Sequence, residues 1–481
     1  MKFARSKTVL ILYAVMLSLL SCDFLSQTGN MATVMIPLDF DDGSRAISKN
    51  FMPAGVTISG FTISVFGPGM QPVKKYISRG ARYVNLQIPA GKDRHFKVEV
   101  HFDIYSSTDF PYTHVRSFIG RAIADLKPGA YVGLPMNMHA GATQLLAPDR
   151  YLTRVWSSDS LSGFGIGTFG NLGQGASLLP NDLDIASDGS LICVNNAQAI
   201  GMVWSQAYNS SSTGTYGPLL ANHPFPCLAV DRARDFFYTC WLDDRPVASQ
   251  RIQYMYKYSY DPATHTVTIP LDMRNPNMDL SIPDAGLVVH SIFGIDVDPF
   301  NGNLYITGIV ADAMYHPTPA SMVPALIKYD PSFASGGFTI GRVIDYVTLP
   351  QFRQLNDVIV KDDSVFVLNE VLYTENTLPV LFKFDRNLKY KGGYGTISYS
   401  GTAFIPSTAA GKFYHPKRFI AHENEGLYII DDSGIIVGGG TSGPDYDKIV
   451  HIDTNMSSSS WTTYPATQTI VASNENFHFF D

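Results

Sequence analysis

Downstream of about residue 141 the chain repeats one short pattern, and that repetition restricts the fold more than any other feature of the sequence. An apolar strand, a turn built on Asp, Asn or Gly, and a second apolar strand make up Leu183-Asp-Ile-Ala-Ser-Asp-Gly-Ser-Leu-Ile-Cys-Val194. The same succession recurs at 228–239, 294–306, 357–367 and 418–429. A spacer and a third short strand follow, as Met202-Val-Trp204, Tyr256-Lys-Tyr258, Ile327-Lys-Tyr-Asp330, Phe382-Lys-Phe-Asp385 and Ile449-Val-His-Ile-Asp453. A unit this small cannot bury both of its faces, so the units must stack on one another. Four-stranded units stacked about an axis form a β-propeller.

Five units are complete, and residues 145–149 with 153–156 read as the second half of a sixth. A propeller ring closes when strands from its two ends share a blade, so the tail at 467–481 is expected to complete that half. About 340 residues over six units leaves about 57 for each, against ~40–45 in a compact blade, so long inter-strand loops are expected. The sequence therefore reads as all-β, with a six-bladed β-propeller at 141–481.

Residues 34–140 follow a different rule. In the stretch 96–104, Phe96, Val98, Val100, Phe102 and Ile104 alternate with Lys97, Glu99, His101 and Asp103, one dry face and one wet face of a strand. His101 on the wet face is expected to meet solvent. Similar runs at 34–40, 56–66, 82–88, 114–126 and 130–138 are separated by Gly-, Pro- and Asp-rich turns. Six or seven strands in about 105 residues make an immunoglobulin- or transthyretin-like β-sandwich. Composition agrees: 12% aromatic and only 16% charged, against about 25% in an ordinary domain, excludes a disordered chain or a coiled coil. The net charge of −7 and the lack of a basic run beyond the first residues exclude nucleic acid as a partner.

Lys2, Arg5 and Lys7 precede a mostly apolar run from Thr8 to Leu20, too short to span a bilayer comfortably and of the length of a secretory signal. The run ends Leu19-Leu20-Ser21-Cys22, which looks like a bacterial lipobox. That resemblance implies cleavage before Cys22 and lipidation of its thiol, with 1–21 as signal peptide and 22–33 as tether. The protein would then sit in the bacterial cell envelope, held to a membrane by lipid without crossing it. Of the other cysteines, Cys227 and Cys240 flank a segment whose tip would be Arg232 to Asp235, so they face each other across a hairpin. A disulfide there, or two small buried hydrophobes, are the two readings.

The repeats, for example 181–192 with Gly201-Met-Val-Trp204, look like the NHL-repeat class of propellers. The order lipobox, sandwich, propeller resembles lipoproteins of spirochaete-like bacteria. Polar residues open the first strand of several units: Asn181 and Asp182, His290 and Ser291, Asn356 and Asp357, and His415 with Lys417. With the blades in register these converge on the propeller mouth. Lactonase-type six-bladed propellers use acids and amides there around a calcium ion, so a metal-dependent lactonase- or esterase-like hydrolase is one reading. A ligand- or protein-binding mouth is the leading one, and a structural envelope component is the third. Gly165-Ile-Gly167-Thr-Phe-Gly170 matches a GxGxxG string but has no strand before it and no helix after it, so it reads as a loop. There is no CxxC, HExxH, GxSxG or Walker loop, and the acids at Asp182, Asp184 and Asp188 lack calcium-loop spacing. Replacing the lipobox cysteine, Cys22→Ala, should move the protein from the membrane fraction to the soluble fraction. Immunoblots of the two fractions check it, and unchanged partitioning would contradict the lipid anchor.

Overall fold

The computed structural model describes residues 30–38, 56–104, 115–142, 145–149, 154–158, 167–171, 180–197, 200–206, 215–216, 227–242, 253–264, 266–268, 278, 280–282, 285–312, 322–335, 338–339, 341–371, 375, 377–400, 403–404, 409–420, 426–436, 445–457 and 459–463. Cys22, the signal segment and the tail at 467–481 lie outside the described residues. Every regular element among those described is a β-strand, and contacts divide the chain into two compact units, the second beginning mainly at His139.

The first unit holds two sheets. Tyr83–Pro89, Met31–Pro37 and Tyr131–Gly133 form one, in that order. Val73–Ser78, Val56–Phe66, Gly91–Ile104 and Val115–Leu126 run side by side in the other. Period-two patterning sets which side is dry. Ile63 pairs with Val98 and Phe61 with Val100, and all four are buried. The opposite face is less open than alternation alone implies: Lys97 is buried, and His101 is half-buried with its Nε2 2.8 Å from Thr62 Oγ1. Val73–Ser78 carries no alternation that marks it as a strand; it pairs along the edge of Val56–Phe66.

The second unit holds a succession of larger antiparallel sheets, besides three two-stranded ones among the described residues. Among the described residues the first is Leu145–Asp149, Arg154–Ser158 and Gly167–Asn171. The second is Pro180–Ile185, Leu191–Ala197, Ile200–Gln206 and Thr215–Tyr216, and the third Leu228–Asp231, Phe236–Leu242, Gln253–Asp261 and Thr266–Thr268. The fourth is Ser281–Ile282, Leu287–Val297, Leu304–Asp312, Val323–Asp330 and Arg342–Val347. The fifth is Gln354–Lys361, Ser364–Glu370, Leu381–Asp385 and Tyr390–Tyr394; the sixth is His415–Ile420, Leu427–Ile436, Asp445–Ile452 and Ser459–Thr463.

Their leading strands follow one another in space as in sequence. Leu145–Asp149 lies against Pro180–Ile185, which lies against Leu228–Asp231, then Leu287–Val297, Gln354–Lys361 and His415–Ile420. His415–Ile420 in turn lies against Leu145–Asp149. This closed order is that of a β-propeller. Two sequence expectations change. Leu145–Asp149 takes a leading-strand place in the ring instead of belonging to the second half of a unit, and Gly167–Asn171, read as a loop, is a strand paired with Arg154–Ser158.

The repeat is also a set of stitches. In the third to sixth sheets an Asp at the end of the repeat's third strand, or just past it, turns its carboxylate onto the backbone of the following turn: Asp261 accepts from Ala263 N, Asp330 from Ser332 N, Asp385 from Asn387 N and Asp453 from Ser457 N. Third-strand lysines sit opposite second-strand aromatics, Tyr238 with Lys257, Tyr305 with Lys328 and Phe366 with Lys383. Lys328 and Lys383 run past the paired ring and donate to the next sheet, to Arg386 O and Thr454 O, each at 2.9 Å. In the sixth sheet His451 stands in the lysine's place, 4.7 Å from the Tyr428 ring.

Between the fourth and fifth sheets, Arg386 donates through one nitrogen to both Asp298 oxygens, at 2.5 and 2.6 Å, and through Nε to Asp362 O. Both side chains are buried, so losing the guanidinium would strand a carboxylate away from water. Arg386→Leu should lower stability by about 3–5 kcal/mol, read from denaturant unfolding. A loss well under 1 kcal/mol would show that water reaches Asp298.

Candidate functional site

Four of the six leading strands share an irregularity that sets the geometry of the mouth. The ladder slips by one residue between Pro180 and Asp182, between Ile292 and Gly294, between Leu355 and Asp357, and between Pro416 and Arg418. Each slip is a bulge, which bends the strand and re-aims the side chains beside it. Asn181, Phe293, Asn356 and Lys417 are the extra residues, and Asp182, Gly294, Asp357 and Arg418 follow them.

The residues after the bulge form inter-sheet clamps. Asp182 accepts from its neighbour Leu183 N at 3.0 Å and from Leu228 N of the third sheet at 2.8 Å. Asp357 accepts from Val358 N at 2.9 Å and from Phe419 N of the sixth sheet at 2.8 Å. Leu228 therefore stands where Phe419 does, and Cys227 stands where Asp182, Gly294, Asp357 and Arg418 do. Asp296 repeats the device two residues further along, accepting from Val297 N at 2.8 Å and Val360 N at 2.6 Å. Gly294 is required: a Cβ there would come within 2.5 Å of Asp357 Oδ1.

Arg418, buried, reaches across the ring and donates to Asp182 Oδ2 at 2.9 Å. Burial works against its charge, but Asp182 and Asp357 together hold it protonated. One guanidinium then faces two carboxyl groups, more than it can neutralise when both are ionised. Burial raises Asp182, with Arg418 opposing. Asp357 is pushed up to about 7 by burial, eased by Arg418 and raised again by Asp182. Asp296 has no such cation and is pushed up to about 8 by burial, although its two backbone donors pull the other way.

A second group forms around Glu370, at the end of the fifth sheet's second strand, where it pairs with Gln354. His415 Nδ1 lies 3.7 Å from Glu370 Oε1, and both side chains are about one quarter exposed. Asn356 donates to Pro416 O at 3.0 Å and accepts from Gln354 Nε2 at 3.3 Å. Asp431, fully buried, accepts the Tyr414 and His415 backbone N–H groups and so fixes the start of the sixth sheet's leading strand. Burial raises the Glu370 carboxyl, but hydrogen bonds from His415 and Asn356 and the charge of Lys417 outweigh it and hold the group at about 2. Glu370 is thus an anion at every physiological pH, with the imidazole and ammonium of the sixth sheet and the Asn356 amide of the fifth around it.

The expected mouth residues therefore separate. Asn356, His415 and Lys417 gather at Glu370. Asp182 and Asp357 gather at Arg418, turned into the ring as clamps. Asn181 takes a bulge position in Pro180–Ile185. His290 joins neither group: its Nδ1 lies 2.9 Å from Ser291 Oγ, Ser291 is buried, and its Nε2 is buried without a hydrogen-bond partner. Burial lowers the His290 pKa. Among the described residues no three His, Cys, Asp or Glu side chains are grouped as a metal ion would require. The carboxylates a calcium ion would need, Asp182 and Asp357, accept backbone N–H groups through both oxygens, so they do not fit that role. Arg418 and Glu370 were not among the sequence candidates. Arg418 reads as the first residue of an ordinary strand, and Glu370 declares itself only through the register that sets it opposite Gln354.

No protein-family model and no curated protein matches the sequence. Among solved structures, the chain is similar to one in a nidogen–laminin complex, at 12% identity and a TM-score of 0.40 over 68% of this chain and 98% of that one. It is similar to a protein of unknown function from Bacteroides caccae, at 9% identity and a TM-score of 0.39 over 68% and 96%. A periplasmic gluconolactonase of Pseudomonas aeruginosa is similar at 12% identity and a TM-score of 0.37 over 69% and 96%.

The clamps and the mouth respond to pH in opposite directions. Asp296 and Asp357 keep protons in the folded chain at pH values where the unfolded chain has released them. Their contribution is full below their ordinary value near 4 and is lost as pH rises through about 7 to 8. Glu370 contributes above its ordinary value near 4.5 and loses that contribution as pH falls toward about 2. Urea unfolding at about pH 5 and about pH 8 should show wild-type stability falling with pH, and Asp296→Asn should flatten that fall. An equal slope in the variant would mean that Asp296 is ionised throughout.

Proposed function

We propose that the second unit is a six-bladed β-propeller whose mouth binds a small polar ligand, carried by an exported lipoprotein anchored through Cys22. In this reading the first unit is a β-sandwich that spaces the propeller from the membrane. The observation that carries the binding role is the Glu370 group. A carboxylate kept ionised at partial exposure, beside an imidazole and an ammonium that are themselves only partly covered, offers an acceptor and two donors within one small area. Arg418 with Asp182 and Asp357 fills the neighbouring positions of the same strands.

The complementary ligand carries hydroxyl groups for Glu370 and a carboxylate or similar anion for Lys417 and His415. That chemistry favours a hydroxylated acid over an apolar molecule. The test is a thermal-unfolding screen of the full chain against neutral sugars, sugar acids and amino acids. A binder at about 100 times its Kd stabilises by about 2.7 kcal/mol, which is a clear rise in unfolding midpoint. The rise should vanish in Lys417→Ala and in Glu370→Gln, with the unliganded midpoint of Lys417→Ala close to wild type. A panel in which no compound shifts the wild-type midpoint, or in which both variants respond as wild type does, would remove this reading.

A further inference from the structure

Cys227 and Cys240 are absorbed neither by the mouth nor by the clamps. Both are fully buried, and their sulfurs lie 3.1 Å apart. The register explains the approach. Leu228 pairs with Thr239, so Cys227 and Cys240 occupy the next opposed pair of the same antiparallel ladder. Directly opposed residues have Cα atoms about 4.5–5.5 Å apart, inside the span of about 4.4–6.8 Å that a disulfide bridges. Thr239 Oγ1 donates to Cys227 O at 2.7 Å and holds the two strands at this level.

The place of the pair in the ring gives it a task. Cys227 stands at the position that Asp182 and Asp357 fill in the second and fifth sheets, where a carboxylate ties one sheet to the next. A thiol cannot accept two backbone N–H groups in that way. The third sheet is also the one most in need of fastening, since its leading strand has four residues against six, eleven, eight and six in the second, fourth, fifth and sixth sheets. Arg418 lies near both sulfurs.

We propose that Cys227 and Cys240 close to an intrachain disulfide in the exported protein, fastening the third sheet where its neighbours use carboxylates. This rests on the export reading above, because only an oxidising compartment sustains the bond. The oxidant is a disulfide of a thiol oxidant, either a small one or the cysteine pair of an oxidoreductase. One cysteine thiolate attacks a sulfur of that disulfide; its S–S bond breaks and one thiolate leaves. The second cysteine thiolate then attacks the protein sulfur of the mixed disulfide and expels the other thiolate. The protein loses two protons and two electrons, and the oxidant takes them up as two thiols. Because both sulfurs are enclosed once the sheets pack, the exchange takes place while the third sheet is forming.

The full chain, with its own N-terminal segment, is produced in a bacterial host, quenched in acid, unfolded without reductant and alkylated with iodoacetamide. Digestion and mass spectrometry then read Cys227 and Cys240 against Cys193. The expected result in the envelope fraction is the two cysteine peptides joined and unlabelled until reductant is added, with Cys193 labelled. Labelling of Cys227 and Cys240 to the extent of Cys193 in that fraction overturns the proposal. If the chain stays in the cytosol, the export reading fails separately. The same measurement in a host with an oxidising cytosol then decides the disulfide by itself: joined peptides support it and labelled ones overturn it. Cys240→Ala should leave Cys227 fully labelled, which assigns the pair.

Discussion

A buried guanidinium at the centre of the ring governs the rest of the second unit. Arg418 comes from the sixth sheet, bonds Asp182 of the second, and shares its field with Asp357 of the fifth and the two cysteines of the third. Taking an arginine out of water costs several kcal/mol, and that cost is offset only if the surrounding sheets hold their acceptors in place. The demand runs both ways. Without Arg418, Asp182 and Asp357 would face each other as buried acids, each already bound to backbone N–H groups that prefer the charged form. The clamps, the bulges that aim them and the glycine at 294 all serve this arrangement. Sheets that are not neighbours in the ring are coupled through its middle.

The bulges explain how one strand serves two ends. In Gln354–Lys361 and His415–Ile420 the extra residue, Asn356 or Lys417, joins the group at Glu370, while the next residue, Asp357 or Arg418, joins the central group. In a regular strand consecutive side chains leave on opposite faces of the sheet. The slip breaks that alternation and lets adjacent residues go to adjacent tasks. Mouth chemistry and ring closure are thereby encoded side by side.

Much of the frame was legible in the chain. The apolar strand–turn–strand units coincide with the leading and second strands of the second to sixth sheets, because a turn residue between two β-branched runs has few other uses. Strand periodicity likewise marked most of the first unit. Partners across sheets were not legible. Asp182 and Asp357 read as mouth residues because an acid before an apolar run looks the same whether it faces water or a backbone N–H. The deciding donors, Leu228 N and Phe419 N, belong to other repeats. Glu370 was missed since its meaning depends on a second strand's register. His290 has the residue type of a mouth group, but its ring turns to the adjacent Ser291. The reach of the third-strand lysines into the following sheet's turns is a fact of stacking.

The bond between Arg418 and Asp182 joins residues 236 positions apart. On a chain emerging from one end, the second sheet is complete long before its cation exists. Asp182 and Asp357 must wait, as unpaired acids in partly formed structure, until the sixth leading strand arrives. The ring therefore cannot reach its final packing piece by piece, and its last step is a loop closure over almost half the chain, which is slow in entropic terms.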